Sequence, residues 1–167
     1  MFMSSAGKLR LQNREKKIMA YYDDMGPGKG NCTVGYGSLV HRNPCTPDEL
    51  KTPVTQEMVS NLFSANVRDA EKAVERNVRV PLTQAQFDAL VSYTFNRGAT
   101  GARSVYRLIN RGEFHEAGLE MRNSTMVKVR KKGKLVPVIA RGLIDRRTEE
   151  SAPFLAAPTQ KAGSTVQ

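Results

Sequence analysis

The sequence predicts an α+β fold, mostly α, with a small N-terminal β-sheet lobe followed by a helical body. Two stretches of different hydrophobic period carry that expectation. Between residues 20 and 45 the chain reads as β, because "CTVGYGSLV" is rich in β-branched and aromatic side chains and follows Gly26, Gly28 and Gly30, which mark tight turns. From Thr55 onward apolar residues recur every three or four positions, the pattern of helices that bury one face. A third observation sets the scale: 167 residues, 40% hydrophobic and 25% charged, make an ordinary globular composition with room for one real core. The expected organisation is a single domain over residues 1–155, with the β lobe at about 18–50, the helical body at about 55–155 and a flexible tail at 156–167.

Each element has its own justification. Residues 4–17 read as a short amphipathic helix capped by Ser4 or Ser5, with Leu9, Leu11 and Ile18 as apolar anchors. A small antiparallel sheet follows, and "NPCTPDELKTP" reads as a loop. Thr55 is the N-cap candidate of a long helix that carries Met58, Val59, Leu62, Phe63, Val67, Ala70 and Val74 on one face. A second helix opens at Thr83, just after Pro81, with Phe87, Leu90, Val91, Thr94 and Phe95 inward and Gly98 as its stop. Short helices are expected at 105–110, closed by Gly112, and at 113–121. "VKVRKKGKLVPV" is a basic hairpin or loop, and "IARGLIDRRTEESAPFL" a last helix that ends before Pro153.

Charge and cysteine content narrow the function classes. The formal net charge is +10, from 26 basic and 16 acidic residues, a field that attracts polyanions such as nucleic acid, anionic lipid or acidic cell-wall polymer. The five basic residues from Lys128 to Lys134 read either as a solvated loop or as a surface for such polymers. No run of 18 apolar residues exists, which argues against stable membrane insertion. The first 17 residues lack the apolar middle of a secretion signal, so synthesis in the cytoplasm without a signal peptide is expected. Cys32 and Cys45 form no metal motif with His41 and the distant His115, so no metal is expected. Two readings of the cysteines stay open: reduced thiols, or one disulfide across a hairpin-like segment in an oxidising compartment.

The segment "REKKIMAYYDDMGPGKGNCTVGYG" carries the chemistry. Glu15 stands at the expected end of the first helix, Asp24 at the edge of the sheet, and Thr33 in the strand that follows. Cleaving a glycosidic bond needs one acid to protonate the leaving oxygen and a second carboxylate to activate water or act as nucleophile. The two acids need different environments, which a helix end and a sheet edge can supply. Glycines beside them let the backbone approach a bulky sugar. Spacing alone fits surface charge better than it fits catalysis.

Glu15, eight residues, Asp24, a glycine turn and "TVGYG" together resemble the active-site segment of phage-type lysozymes, a family of endolysins and muramidases. "VPLTQAQFDALVSYTFNRGA", "LINRGEF", "KKGKLVPVIARGL" and "GLIDRRTEESAPF" resemble its later segments in order, so the likeness covers residue 7 to about 155. The resemblance implies a lysozyme-like fold with the active-site cleft between β lobe and helical body. It implies a muramidase that cleaves the β-1,4 bond between N-acetylmuramic acid and N-acetylglucosamine, with inversion and without a cofactor. Glu15 then matches the general acid, Asp24 the carboxylate that activates or positions water, and Thr33 the threonine that helps hold it. Phe95 matches an aromatic that lines the family's cleft, although core packing also accounts for it; Leu39, which follows the strand, is a candidate sugar contact that hairpin packing explains equally well. Three departures from the family pattern stand out. Eight residues rather than five separate Asp24 from Thr33, which makes Asp23 a competitor of Asp24. Lys16 replaces the usual glycine after the glutamate. Ser38 replaces a histidine of structural role.

The expected partners are peptidoglycan and anionic envelope polymers, acting on a monomer, with no nucleic acid. Action in the periplasm or on the cell wall then requires a holin or a secretion system. Two other functions compete: a catalytically impaired lysozyme-like module that binds glycan or polyanion, and a basic nucleic-acid binder, for which no motif is present.

Overall fold

The computed structural model describes residues 1–131 and 134–156, and the tail expected beyond them lies outside the described residues. The chain forms two compact units. One comprises residues 4–69, and the other residues 1–3 with the chain from Ala70 onward.

The first unit opens with α1 (Ser5–Arg14), where Ser4 is the cap: its hydroxyl accepts the Gly7 N–H at 3.0 Å. The helix stops at Glu15, whose φ of −95° and ψ of 128° turn the chain into extended backbone. That exit uses no left-handed residue, so Lys16 stands where the family has glycine without backbone strain. Of the three expected anchors only Leu11 is buried; Leu9 is exposed. Ile18 belongs instead to β1 (Ile18–Asp23), because a β-branched residue ahead of two tyrosines fits a pleated strand better than a frayed helical turn.

β1, β2 (Cys32–Gly35) and β3 (Ser38–His41) form an antiparallel sheet in that order. Tyr22 faces Thr33 and Asp23 faces Cys32 across the first pair; Thr33 faces Leu39 across the second. Cys32 and Cys45 are joined as a disulfide with their Cα atoms 4.5 Å apart. The expected loop after the sheet contains a 3₁₀ turn at Glu49–Lys51. The sheet rests on α2 (Gln56–Asn77), which Thr55 caps by accepting the Met58 N–H at 3.1 Å. A Cβ at Gly35 would lie 2.8 Å from Val59 Cγ1, and φ there is +65°, so only glycine lets the strand come this close to the helix. Tyr36 and Phe63 add a tilted ring contact at 5.0 Å. Ser38 is buried and its hydroxyl accepts from Asn66 Nδ2 at 2.8 Å, so a short polar bond holds the position at which the family has histidine.

The second unit is helical apart from one hairpin. α3 (Gln84–Gly101) starts with a capping box in which Thr83 and Gln86 satisfy each other's backbone. It breaks at Gly98, where φ is +71°. α4 (Arg103–Asn110) and α5 (Phe114–Asn123) follow, and then β4 (Met126–Lys131) and β5 (Lys134–Ile139) pair as an antiparallel ribbon. α6 (Gly142–Leu155) runs through Pro153 instead of ending before it. Proline removes only one late backbone donor there, while the next residue, Phe154, is fully buried, so packing outweighs the lost bond. α5 approaches α6 closely enough that a Cβ at Gly118 would sit 2.9 Å from Leu155 Cδ2.

An ionic cluster sits inside this unit. The Arg147 side chain is fully buried, stacks over Tyr93 at 4.7 Å from the ring centroid and pairs with Glu150 and Asn96. Glu150 Oε1 also accepts from Arg146 Nε at 2.9 Å and from Ser92 Oγ at 2.6 Å. Among the described residues no helix is long and apolar enough to cross a membrane.

Candidate active site

Strand alternation sorts the two adjacent acids. Asp23 ends β1 opposite Cys32, and its side chain serves the backbone: Oδ1 accepts the Cys45 N–H at 2.7 Å and Oδ2 the Gly28 N–H at 2.6 Å. Asp24 lies one residue further and so shares the face of Tyr22, whose cross-strand neighbour is Thr33. The Asp24 carboxylate is exposed and is gripped by one residue. The Asn31 N–H donates to Oδ1 at 2.8 Å, and Asn31 Nδ2 donates to Oδ2 at 3.1 Å.

Asn31 also reaches the threonine. Thr33 is buried, and its hydroxyl donates to the Asn31 carbonyl at 3.2 Å. The backbone closes the same loop, with Asp24 N–H donating to the Asn31 carbonyl at 3.1 Å. Three left-handed glycines, Gly26, Gly28 and Gly30, take up the three extra residues between the strands. Gly30 lies directly beneath Asp24, since a Cβ there would fall 2.0 Å from Asp24 Oδ1.

Tyr22 reports on both expected catalytic acids. Its hydroxyl is pushed above the ordinary tyrosine value, first by burial, then by the negative charge of Asp24 and that of Glu15. Glu15, at the helix end, and Asp24, in the turn just past β1, therefore both act electrostatically on one phenol, whereas Asp23 is not among the groups that shift it. Leu39 stands opposite Thr33 in the register and is exposed. Phe95 is half-buried on α3 and belongs to the other unit. The sequence reading did not single out Tyr22 and Asn31. Their parity with Asp24 and Thr33 was the available signal, but it needed the strand bounds.

A three-stranded sheet backed by a capped long helix, in a chain otherwise helical apart from one hairpin, makes the fold lysozyme-like. Comparison with known proteins narrows this. The family model described as phage lysozyme matches residues 15–150, beginning at Glu15 itself. The chain is 31% identical over 130 residues to the endolysin of Acyrthosiphon pisum secondary endosymbiont phage 1, covering 77% of this chain and 82% of that protein. It is 31% identical over 160 residues to the endolysin of Salmonella phage P22, covering 93% and 99%. Among solved structures, the muramidase domain of SpmX from Asticaccaulis excentricus superposes with a TM-score of 0.72 at 30% identity, over 93% of this chain and 98% of that one. The chain belongs to the phage lysozyme family.

Proposed function

We propose that the protein is a peptidoglycan hydrolase that cleaves the β-1,4 bond between N-acetylmuramic acid and N-acetylglucosamine. The observation that carries this reading is the Asp24–Asn31–Thr33 arrangement beside Tyr22, a tyrosine that also feels Glu15. Glu15 delivers its proton to the glycosidic oxygen as the bond breaks. Asp24 takes a proton from the water that attacks the anomeric carbon on the opposite face of the sugar, which inverts its configuration. Asn31 occupies one acceptor site on each Asp24 oxygen, leaving further lone pairs for that water. The Thr33 hydroxyl commits its proton to the Asn31 carbonyl, so its own oxygen is oriented as an acceptor. Leu39, exposed opposite Thr33, is assigned to contact with the glycan. Asp23 is assigned to holding the loop and Cys45 in place, because both its oxygens are used by backbone N–H groups.

The net charge of +10 favours approach to anionic envelope polymers. Action on the wall follows export through a holin or a secretion machine. The deciding experiment is digestion of purified peptidoglycan with mass analysis of the products. Reducing-end muropeptides are expected, and Glu15→Gln should lower their release about 100- to 10,000-fold while the fold survives. Co-sedimentation with peptidoglycan without any fragment release would replace this reading with a glycan-binding module. Anhydro ends would replace hydrolysis with transglycosylation.

A further inference from the structure

We infer that Cys32, Cys45, His41 and Glu49 form a tetrahedral zinc site whenever the two cysteines are reduced, so that a metal ion and the disulfide are alternative staples at one place. One ligand atom from each of Cys32, His41 and Glu49 lies within 4.8 Å of the other two. Cys45 Sγ is bonded to Cys32 Sγ, so a fourth donor stands one S–S bond away from that group. Two thiolates, an imidazole and a carboxylate are a donor set suited to zinc. The inference does not depend on which acids cleave the glycan.

The histidine–carboxylate distance needs little change. His41 Nε2 and Glu49 Oε1 are 2.9 Å apart. Two such ligands on a tetrahedral zinc with bonds of about 2.0–2.1 Å stand roughly 3.3 Å from each other. The sulfurs must separate to about 3.8 Å, which rotation about the Cα–Cβ bonds of two reduced cysteines supplies. The supporting bonds are already present. His41 Nδ1 lies 3.0 Å from the Arg42 carbonyl, a partner that keeps the proton on Nδ1, so the proton that Nε2 donates to Glu49 is the one a metal replaces. Glu49 Oε2 accepts from the Thr46 N–H at 2.7 Å and from Thr46 Oγ1 at 2.9 Å, which orients the carboxylate. His41 and Glu49 keep 39% and 27% of their side-chain surface in contact with solvent, so an ion has a route in.

The chemistry balances. Every chain leaves the ribosome with both thiols reduced, and zinc binding releases the two thiol protons and the proton that His41 Nε2 shares with Glu49. Oxidation by a disulfide of the thiol-oxidoreductase class removes two electrons from the two sulfurs, forms the Cys32–Cys45 bond, reduces the oxidant to a dithiol and frees the metal. In a reducing compartment the ion would then cross-link β2, β3 and the following loop, and in an oxidising one the disulfide does so.

The test uses the full chain, reduced by a phosphine under anaerobic conditions, and cobalt(II) followed by zinc(II) as probes. The reduced protein should show thiolate-to-cobalt charge transfer and tetrahedral ligand-field bands, both lost on adding zinc, and the oxidised protein should show neither. His41→Ala and Glu49→Gln should each weaken cobalt binding at least about tenfold, and Thr46→Val, which removes one support of Glu49, about tenfold. A chelator should lower the unfolding midpoint of the zinc-loaded reduced protein and leave that of the oxidised protein unchanged. The inference fails if reduced protein takes up no cobalt, if oxidised protein binds it equally well, or if the His41 and Glu49 variants bind as tightly as the unaltered chain.

Discussion

Gly30→Ala separates catalytic geometry from backbone strain, because Gly28→Ala supplies a matched control. Both glycines are left-handed, with φ of +81° and +68°, so either alanine carries a similar strain of about 1–2 kcal/mol. Beyond that strain the two sites differ. A Cβ at Gly28 meets nothing within 4 Å, whereas one at Gly30 would fall 2.0 Å from Asp24 Oδ1 and 2.8 Å from Met25 Cγ. The Asp24 oxygen must therefore retreat by about 1 Å, and it cannot do so without stretching the 2.8 Å bond from the Asn31 N–H. A displacement of that size in a group that positions water lowers turnover on the order of 100-fold. The assay is the rate of turbidity loss from purified peptidoglycan, with urea unfolding run on the same samples. Gly30→Ala should lose at least as much stability as Gly28→Ala, and only Gly30→Ala should lose most of its activity under conditions where both are folded. Equal rates for the two would refute the placement of Asp24 at the reacting water.

The other expectations address electrostatics and the core. The Tyr22 hydroxyl titrates above its usual value of about 10, through burial and then the charges of Asp24 and Glu15. Its folded value therefore exceeds its unfolded one, so the stability linked to it is complete below the unfolded value and fades as pH rises through the folded one. Asp24→Asn and Glu15→Gln should each bring the Tyr22 ring-carbon NMR titration to lower pH; a midpoint unmoved by both would place the acids elsewhere. Glu150→Gln removes the buried carboxylate with which both Arg146 and Arg147 pair and should cost about 3–5 kcal/mol in urea unfolding, against an expectation of under about 1 kcal/mol if the cluster is dispensable. Thr83→Ala removes the hydroxyl that accepts the Gln86 N–H at 3.2 Å and should cost about 1 kcal/mol, read from the same unfolding curves.

How far the sequence foretold this arrangement depends on how local each determinant is. The caps at Ser4, Thr55 and Thr83 and the breaks at Gly98 and Gly112 are local, and each stands at the expected position. The α+β division was legible from the change of hydrophobic period, and the buried Val59, Phe63, Val67, Ala70 and Val74 follow it along α2. Two boundaries were misread where packing outweighs propensity: Ile18 leaves the helix for the sheet, and α6 passes through Pro153 to bury Phe154. The Glu49 carboxylate beside His41 was not legible at all, because a loop acid shows no period and its partners are brought to it by a strand and a 3₁₀ turn. The buried Arg147 was hidden for a related reason, since an arginine in a charged helical segment reads as solvated until tertiary contacts enclose it.

The adjacent acids Asp23 and Asp24 show why residue spacing needed strand parity as its partner. Counting from Glu15 favours Asp24, but an inserted loop weakens any count that runs on to Thr33. Alternation along a strand does not depend on loop length. Thr33 pairs with Tyr22, so the acid on the threonine's face must be an even number of residues from Tyr22, and Asp24 qualifies where Asp23 does not. The side-chain bonds agree, because Asp23 turns toward Cys45 and Gly28 while Asp24 is clamped by the residue that also receives the Thr33 hydroxyl. The three extra residues thus lengthen the loop without changing which acid shares the threonine's face. Left-handed glycines absorb the added length, and Asn31 holds Asp24 and Thr33 together at the loop's end.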